Sequence, residues 1–205
     1  MKVLMINGSP RKDGNTSLAV AEMEKVFNEK GIETVVMPIG IDAIRGCMHC
    51  NGCSATGRCV IDDAVNKAAD VFAEADGLVV ATPVYFSSAN GTVVSFLDRL
   101  FYSTQFDKTM KVGAAVAVAR RGGLTATFDE LNKYFTISGM PVASGQYWNG
   151  LHGMRPGEAA EDAEGLQQMR TLARNMAYLM EAIADKKAKD GLPEKEPGIM
   201  TNFVR

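Results

Sequence analysis

Four cysteines stand within thirteen positions, as Cys47-x2-Cys50-x2-Cys53-x5-Cys59, and they are the only cysteines of the 205-residue chain. Three thiolates at intervals of three residues, with a fourth in reach, give the compact spacing that wraps a cubane in bacterial ferredoxins, here without the C-x3-C-P ending of those proteins. Soft thiolates select iron-sulfur clusters or zinc. Zinc is more usually gripped by two C-x2-C knuckles separated by a longer insert, so the spacing favours a cluster if a metal is held at all. His49 lies between two of the cysteines and has the chemistry to replace one, although a solvated loop histidine is the commoner fate of such a residue.

A second concentration of chemistry is NGSPRKDGNTS, residues 7–17, directly behind the apolar run Val3-Leu4-Met5-Ile6. Gly8 permits a sharp turn, Pro10 stiffens it, and Asn15, Thr16 and Ser17 fall at the start of the following helix. Free backbone N–H groups and the positive helix end attract an anion there, with hydroxyl donors from Ser9, Thr16 and Ser17 and a charge-assisted donor from Arg11. A Walker loop is excluded, because Gly8 and Gly14 enclose five residues and Asn15 stands where lysine is required; G-x-G-x-x-G is absent as well. One terminal phosphate of a mononucleotide is the guest that remains. The competing reading is a plain helix cap and turn.

Two further segments bear on a bound ring. TPVYFSSANG (82–91) places Pro83, Val84, Tyr85 and Phe86 at the end of an apolar run, with Ser87 and Ser88 as polar partners for ring edges; an ordinary buried strand end is the alternative. ARRGGLT sets Arg120 and Arg121 beside Gly122 and Gly123, where a backbone can approach a ligand closely with a guanidinium nearby. Trp148 and His152, in QYWNGLHG, are candidates for the border of an acceptor pocket, against the commoner case of a packed tryptophan at a strand end.

The elements that must position these residues alternate. Strand-length apolar runs at about 2–7, 32–39, 77–82, 112–119 and 140–147 are separated by helical stripes, which is the pattern of βαβ units around a parallel sheet. Val20, Met23 and Phe27 mark one crossover helix, stopped at Gly31. Val65, Ala69, Phe72 and Ala73 mark another, capped at Asp62 or Asp63. Residues 91–101 and 124–139 read as two more, and Leu166 to Ile183 line a long final helix. The fold expected is an α/β, flavodoxin-like, doubly wound five-stranded parallel sheet of order 2-1-3-4-5, with ligands beyond the carboxyl ends of the strands at the topological switch point. One domain over 1–187, with a cysteine-rich insert loop at 45–60, is followed by a charged, proline-containing tail at 188–205. A net charge of -2, from 22 basic against 24 acidic residues, leaves no electrostatic footprint for nucleic acid. No run approaches a membrane span, and Met1-Lys2 leads straight into a strand rather than a secretory signal, so a soluble, cytoplasmic protein is expected.

At these residues the chain resembles the flavodoxin-like NAD(P)H-dependent FMN reductases, and within them the iron-sulfur flavoproteins. The resemblance rests on GSPRKDGNTS, TPVYFSS and, between them, CMHCNGCSATGRCVIDD, in that order, and covers nearly the whole chain. It implies that Ser9, Arg11, Asn15, Thr16 and Ser17 hold the FMN phosphate and that Pro83, Val84, Tyr85, Phe86 and Ser87 lie along the isoalloxazine ring. Arg121 and Gly122 match more loosely. It implies that Cys47, Cys50, Cys53 and Cys59 ligate a 4Fe-4S cluster, although flavin reductases outside the subgroup carry similar loops without metal. Implied partners are NAD(P)H as hydride donor and a quinone, flavin or small organic acceptor; the alternative is an electron relay with ferredoxin as donor. A homodimer or homotetramer is the implied assembly.

Overall fold

The computed structural model describes residues 1–203. The first strand, β1 (Lys2–Asn7), is central: Val3, Leu4, Met5 and Ile6 are all fully buried, as a continuous apolar run must be when both faces of a parallel strand are covered. It pairs in parallel with β2 (Glu33–Pro38) on one side and β3 (Gly77–Tyr85) on the other, with Val3 opposite Thr34 and Gly77. Beyond β3 lies β5 (Val112–Ala119), then β6 (Gly150–His152), giving the order β2-β1-β3-β5-β6. A two-residue β4 (Ser88–Ala89) folds back antiparallel on the end of β3. The five parallel strands thus have the expected doubly wound order, and the loops after β1 and β3 diverge where the winding reverses direction.

Alternate residues of each strand serve opposite faces. Val3, Met5 and Val79 pack with Val20, Met23 and Phe27 of α1 (Asn15–Glu29) and with Met169, Leu172 and Met176 of α6 (Ala163–Asp190). On the other face Leu4, Ile6, Leu78 and Val80 pack against three helices. These are α3 (Ala64–Glu74), through Val65 and Phe72, α4 (Gly91–Ser103), through Phe96 and Leu100, and α5 (Leu124–Ile137), through Leu131 and Phe135. A one-turn α2 (Cys53–Thr56) sits within the cysteine loop.

The fifth parallel strand corrects the expectation of 140–147. Val142 makes only a single parallel bridge to Gly113, and regular pairing resumes at β6, where Ala117–Ala119 face Gly150–His152. Between them the Gln168 side chain takes the place of a neighbouring strand. Its Oε1 accepts from the backbone N–H of Gln146 and of Tyr147, both at 3.0 Å, and its Nε2 donates to Tyr147 O at 2.6 Å. The outcome is an ordered bulge that presents Tyr147 and Trp148 to solvent. α6 continues through Asp190, past residue 188, and residues 192–203 have no regular secondary structure. Among the described residues no helix is long and apolar enough to cross a membrane.

Candidate active site

The carboxyl ends of β1, β3 and β5 enclose a cleft of about 170 Å³ lined by Ser9, Arg11, Asn15, Thr16, Pro83, Val84, Tyr85 and Arg120, closed below by Val118 and Ala119 and at the side by Gly153 and Met154. The first loop is shaped by its own side chains. The Ser9 N–H donates to Asn7 Oδ1 at 3.0 Å, and Ser9 Oγ accepts from the Arg11 N–H at 3.2 Å. Ser17 Oγ donates to Lys12 O at 2.7 Å and accepts from Asn7 Nδ2, so its hydroxyl is committed to holding the turn and it does not line the cleft. Gly14 precedes α1 with extended backbone and no side chain caps the helix. The first-turn N–H groups of Asn15 and Thr16 are therefore left for a ligand. Thr16 is 2% exposed, lines the cleft, and its hydroxyl has no partner among the described residues. A donor left open on the cleft at an uncapped helix end fits an anion.

The second loop is a tight hairpin. Tyr85 pairs with Ser88 across Phe86 and Ser87, whose φ values of +52° and +62° place two non-glycine residues in the left-handed region. That geometry is demanded by a two-residue connection. It leaves Tyr85 half-exposed on the cleft and turns Phe86 wholly into solvent. Glu130 of α5 clamps the return strand, accepting from Ser88 Oγ at 2.7 Å and the Ala89 N–H at 2.8 Å. The third loop leans on the second: Gly123, at φ +92°, has room for no Cβ, since one would lie 2.8 Å from Ser87 Cα. Of the residues expected here, the structure brings Pro83, Val84 and Tyr85 to the cleft, and Arg120 in place of Arg121. Phe86, Ser87, Arg121 and Gly122 do not line it.

A neighbouring cavity of about 340 Å³ begins one residue along β6. Tyr147, Trp148, His152, Leu124 and Gln167 are among its lining residues, so the bulge brings Trp148 and His152 together.

The cysteines gather at the opposite end of α4. Cys47, Cys50, Cys53 and Cys59 are free thiols that line one pocket with Val60, Ile61, Arg99, Tyr102 and Ser103. His49 and Asn51, between successive cysteines, adopt left-handed φ of +51° and +57° and curl the loop; Gly52 has no room for a Cβ, which would meet Val60 Cγ1 at 2.4 Å. Asn66 fixes Cys59 by accepting from its N–H at 3.1 Å and donating to its carbonyl at 3.0 Å. His49 faces Tyr102 rather than the pocket. Among the described residues no three His, Cys, Asp or Glu groups are gathered as a single ion would need; about a tetrahedral zinc, thiolates would sit within about 3.8 Å of one another. A cubane spaces its ligands more widely, and four unpaired thiols on one pocket fit that donor set. The Ser103 hydroxyl, buried on this pocket, has no partner among the described residues. Burial pushes the Arg99 guanidinium down, but hydrogen bonds to Asp63 and Cys59 outweigh it and hold the group above its ordinary value.

Residues 1–153 match the model of the NADPH-dependent FMN reductase family. The chain belongs to this family. Within it, an iron-sulfur flavoprotein of Methanocaldococcus jannaschii is 34% identical, the match covering 89% of this chain and 99% of that protein. An iron-sulfur flavoprotein of Methanosarcina thermophila is 31% identical, over 92% of this chain and 100% of its own length. Among solved structures, RosB with bound 8-demethyl-8-formylriboflavin-5'-phosphate superposes with a TM-score of 0.71 at 16% identity, covering 100% of this chain and 94% of its own. The NAD(P)H:quinone oxidoreductase of Methanothermobacter marburgensis does so with 0.65 at 17%, covering 86% and 97%; at such identities these two speak for the fold alone. The chain is thus an oxidoreductase of the flavin-dependent class, and its matches to the two iron-sulfur flavoproteins span most of its length.

Proposed function

We propose that this protein binds FMN at the β1–β3 cleft, takes hydride from NAD(P)H, and passes electrons to a quinone, flavin or small organic acceptor, or to a 4Fe-4S cluster on Cys47, Cys50, Cys53 and Cys59. The observation that carries the reading is the uncapped start of α1 beside the open Thr16 hydroxyl. There the backbone of Asn15 and Thr16, with Ser9 and Arg11, would hold the phosphate. Pro83, Val84 and Tyr85 would carry the ring, and Arg120 stands at its margin. Bound FMN supplies hydride acceptance and the change from two-electron to one-electron transfer. The protein's own part is to orient it, leave one face open to a flat donor, and keep it near the thiols. Anaerobic stopped-flow mixing of FMN-loaded protein with NADH and with NADPH should bleach the flavin band with at least one of them; a flavin that stays oxidised with both sinks the reading.

A second reading, a relay with ferredoxin as donor, is favoured by the exposure of Cys47 and Cys50, which gives a protein partner access to the pocket. Cys50→Ala then abolishes ferredoxin-driven reduction while NAD(P)H-driven turnover survives. Assembly as a homodimer or homotetramer belongs to the same proposal and is read by light scattering.

A further inference from the structure

Arg99 has 1% of its side chain exposed and every donor of its fork is directed at an acceptor. Nη1 donates to Asp63 Oδ2 at 2.6 Å and to Arg45 O at 3.3 Å; Nη2 donates to Asp63 Oδ1 at 3.0 Å and to Ile61 O at 2.9 Å. Both Nε and Nη2 also lie 3.3 Å from Cys59 Sγ. An arginine present only to bind the loop would need the carboxylate and the two carbonyls. The sulfur contacts go beyond that. One turn further along α4, Ser103 is 3% exposed and lines the same pocket, and its hydroxyl has no partner among the described residues. A buried hydroxyl without an acceptor is costly, and the pocket it lines is the one that holds the four cysteine sulfurs.

We propose that Arg99 and Ser103 form a hydrogen-bonding wall against the sulfurs of the cysteine site and set its reduction potential. This rests on the reading that the four cysteines hold a cluster. Adding one electron to a thiolate-ligated cluster increases its negative charge, and a buried cation and a hydroxyl donating to its sulfurs favour that state, raising the potential. Arg99 and Ser103 are positioning residues: Arg99 acts through the Cys59 sulfur it touches, and Ser103 through the pocket it shares with the four cysteines.

The test is an EPR-monitored reductive titration of protein reconstituted anaerobically with iron and sulfide, with metal and sulfide counted beforehand. Arg99→Lys keeps a charge beside Asp63 but cannot serve carboxylate, carbonyls and sulfur at once. It should lower the equilibrium constant for cluster reduction about tenfold, about 59 mV for a one-electron couple, and Ser103→Ala should lower it by less in the same direction. Potentials equal to the parent's in both variants overturn the proposal. Should Arg99→Lys fail to fold, the unaltered protein with ¹⁵N-labelled arginine decides: weak ¹⁵N coupling to the reduced cluster in pulsed EPR supports it, and absence of coupling overturns it. Parent protein that binds no iron and sulfide overturns the cluster reading and this inference together, whereas a bound cluster without coupling overturns this inference alone.

Discussion

Gly40 is far in sequence from both loops that line the cleft, yet a Cβ built on it would lie 2.1 Å from Ser9 C and O and 2.5 Å from Pro10 N. Carbon atoms rest at about 3.5–4.0 Å, so Gly40→Ala requires a shift of about 1.5 Å. Gly40 is held by its neighbour, because Ile39 is fully buried and its N–H donates to Asn7 O at 2.9 Å; Ser9 lies in an open turn, and the turn is what yields. A phosphate bound across that turn loses at least one charge-assisted hydrogen bond, worth about 1.5–3 kcal/mol. At 1.4 kcal/mol per decade, the FMN Kd rises about 10- to 150-fold. Flavin-fluorescence titration of apoprotein with FMN and with riboflavin, which lacks the phosphate, measures the loss and locates it. Riboflavin binding should change by less than about threefold under the same arithmetic. An unchanged FMN Kd, or equal losses for the two ligands, refutes the placement of the phosphate beside Ser9.

Ser87→Gly should raise stability by about 1 kcal/mol, because glycine occupies the left-handed region without the Cβ penalty, and should leave FMN affinity intact; a lower Tm would show that the hairpin gains something from the hydroxyl. Gln168→Leu removes the groups that satisfy the 146–149 bulge and should cost about 2–3 kcal/mol. Trp148 is the chain's one tryptophan, so fluorescence anisotropy reports the bulge directly, and an unchanged value means Gln168 does not hold it. Glu22 accepts from Arg170 Nη1 at 2.5 Å across α1 and α6, and this bond lowers its pKa below the ordinary 4.5. The folded carboxyl binds its proton less readily than the unfolded one. The stabilisation is therefore present above pH 4.5 and lost as pH falls through the folded value. Glu22→Gln should narrow the difference in urea midpoint between pH 7 and pH 3.5; an undiminished difference assigns the acid limb to other carboxyls.

The sheet was legible because its strands carry the plainest signals: residues 3–6 of β1 and 78–81 of β3 are buried and read as unbroken apolar runs, with Gly8 and Pro83 shortly after them. The expected fifth strand failed for the same reason, since an apolar run at 140–147 gives no sign that Gln168, 21 residues beyond Tyr147, satisfies the backbone in place of a strand. Around the cleft, the loops that line it were readable and the directions of their side chains were not. Phe86 belongs to the right loop, but the hairpin turn rotates it outward, and a one-residue offset exchanges Arg121 for Arg120. Val118, Ala119, Gly153 and Met154 line the cleft without any chemical signature in sequence. Arg99 had one. It falls on the buried stripe of Phe96, Leu100 and Ser103, at the three- and four-residue spacing of a core face, where an unpaired cation would be prohibitive.

The two candidate centres are tied by one rigid element. At the start of α4, Asn90 Oδ1 accepts from the Val93 N–H at 2.9 Å, and Asn90 Nδ2 donates to Gly8 O at 2.5 Å, so a single side chain caps the helix and fixes the loop after β1. Nine residues along, Arg99 fixes the cysteine loop through Cys59, Ile61 and Arg45. At 1.5 Å per residue these anchors are about 14 Å apart. Between them Val93, Phe96 and Leu97 are buried against the sheet. A helix packed so closely cannot lengthen or turn without opening the core. The spacing between cleft and thiols is thus a property of the scaffold and does not depend on the loops, and that is what a route for electrons between two centres requires.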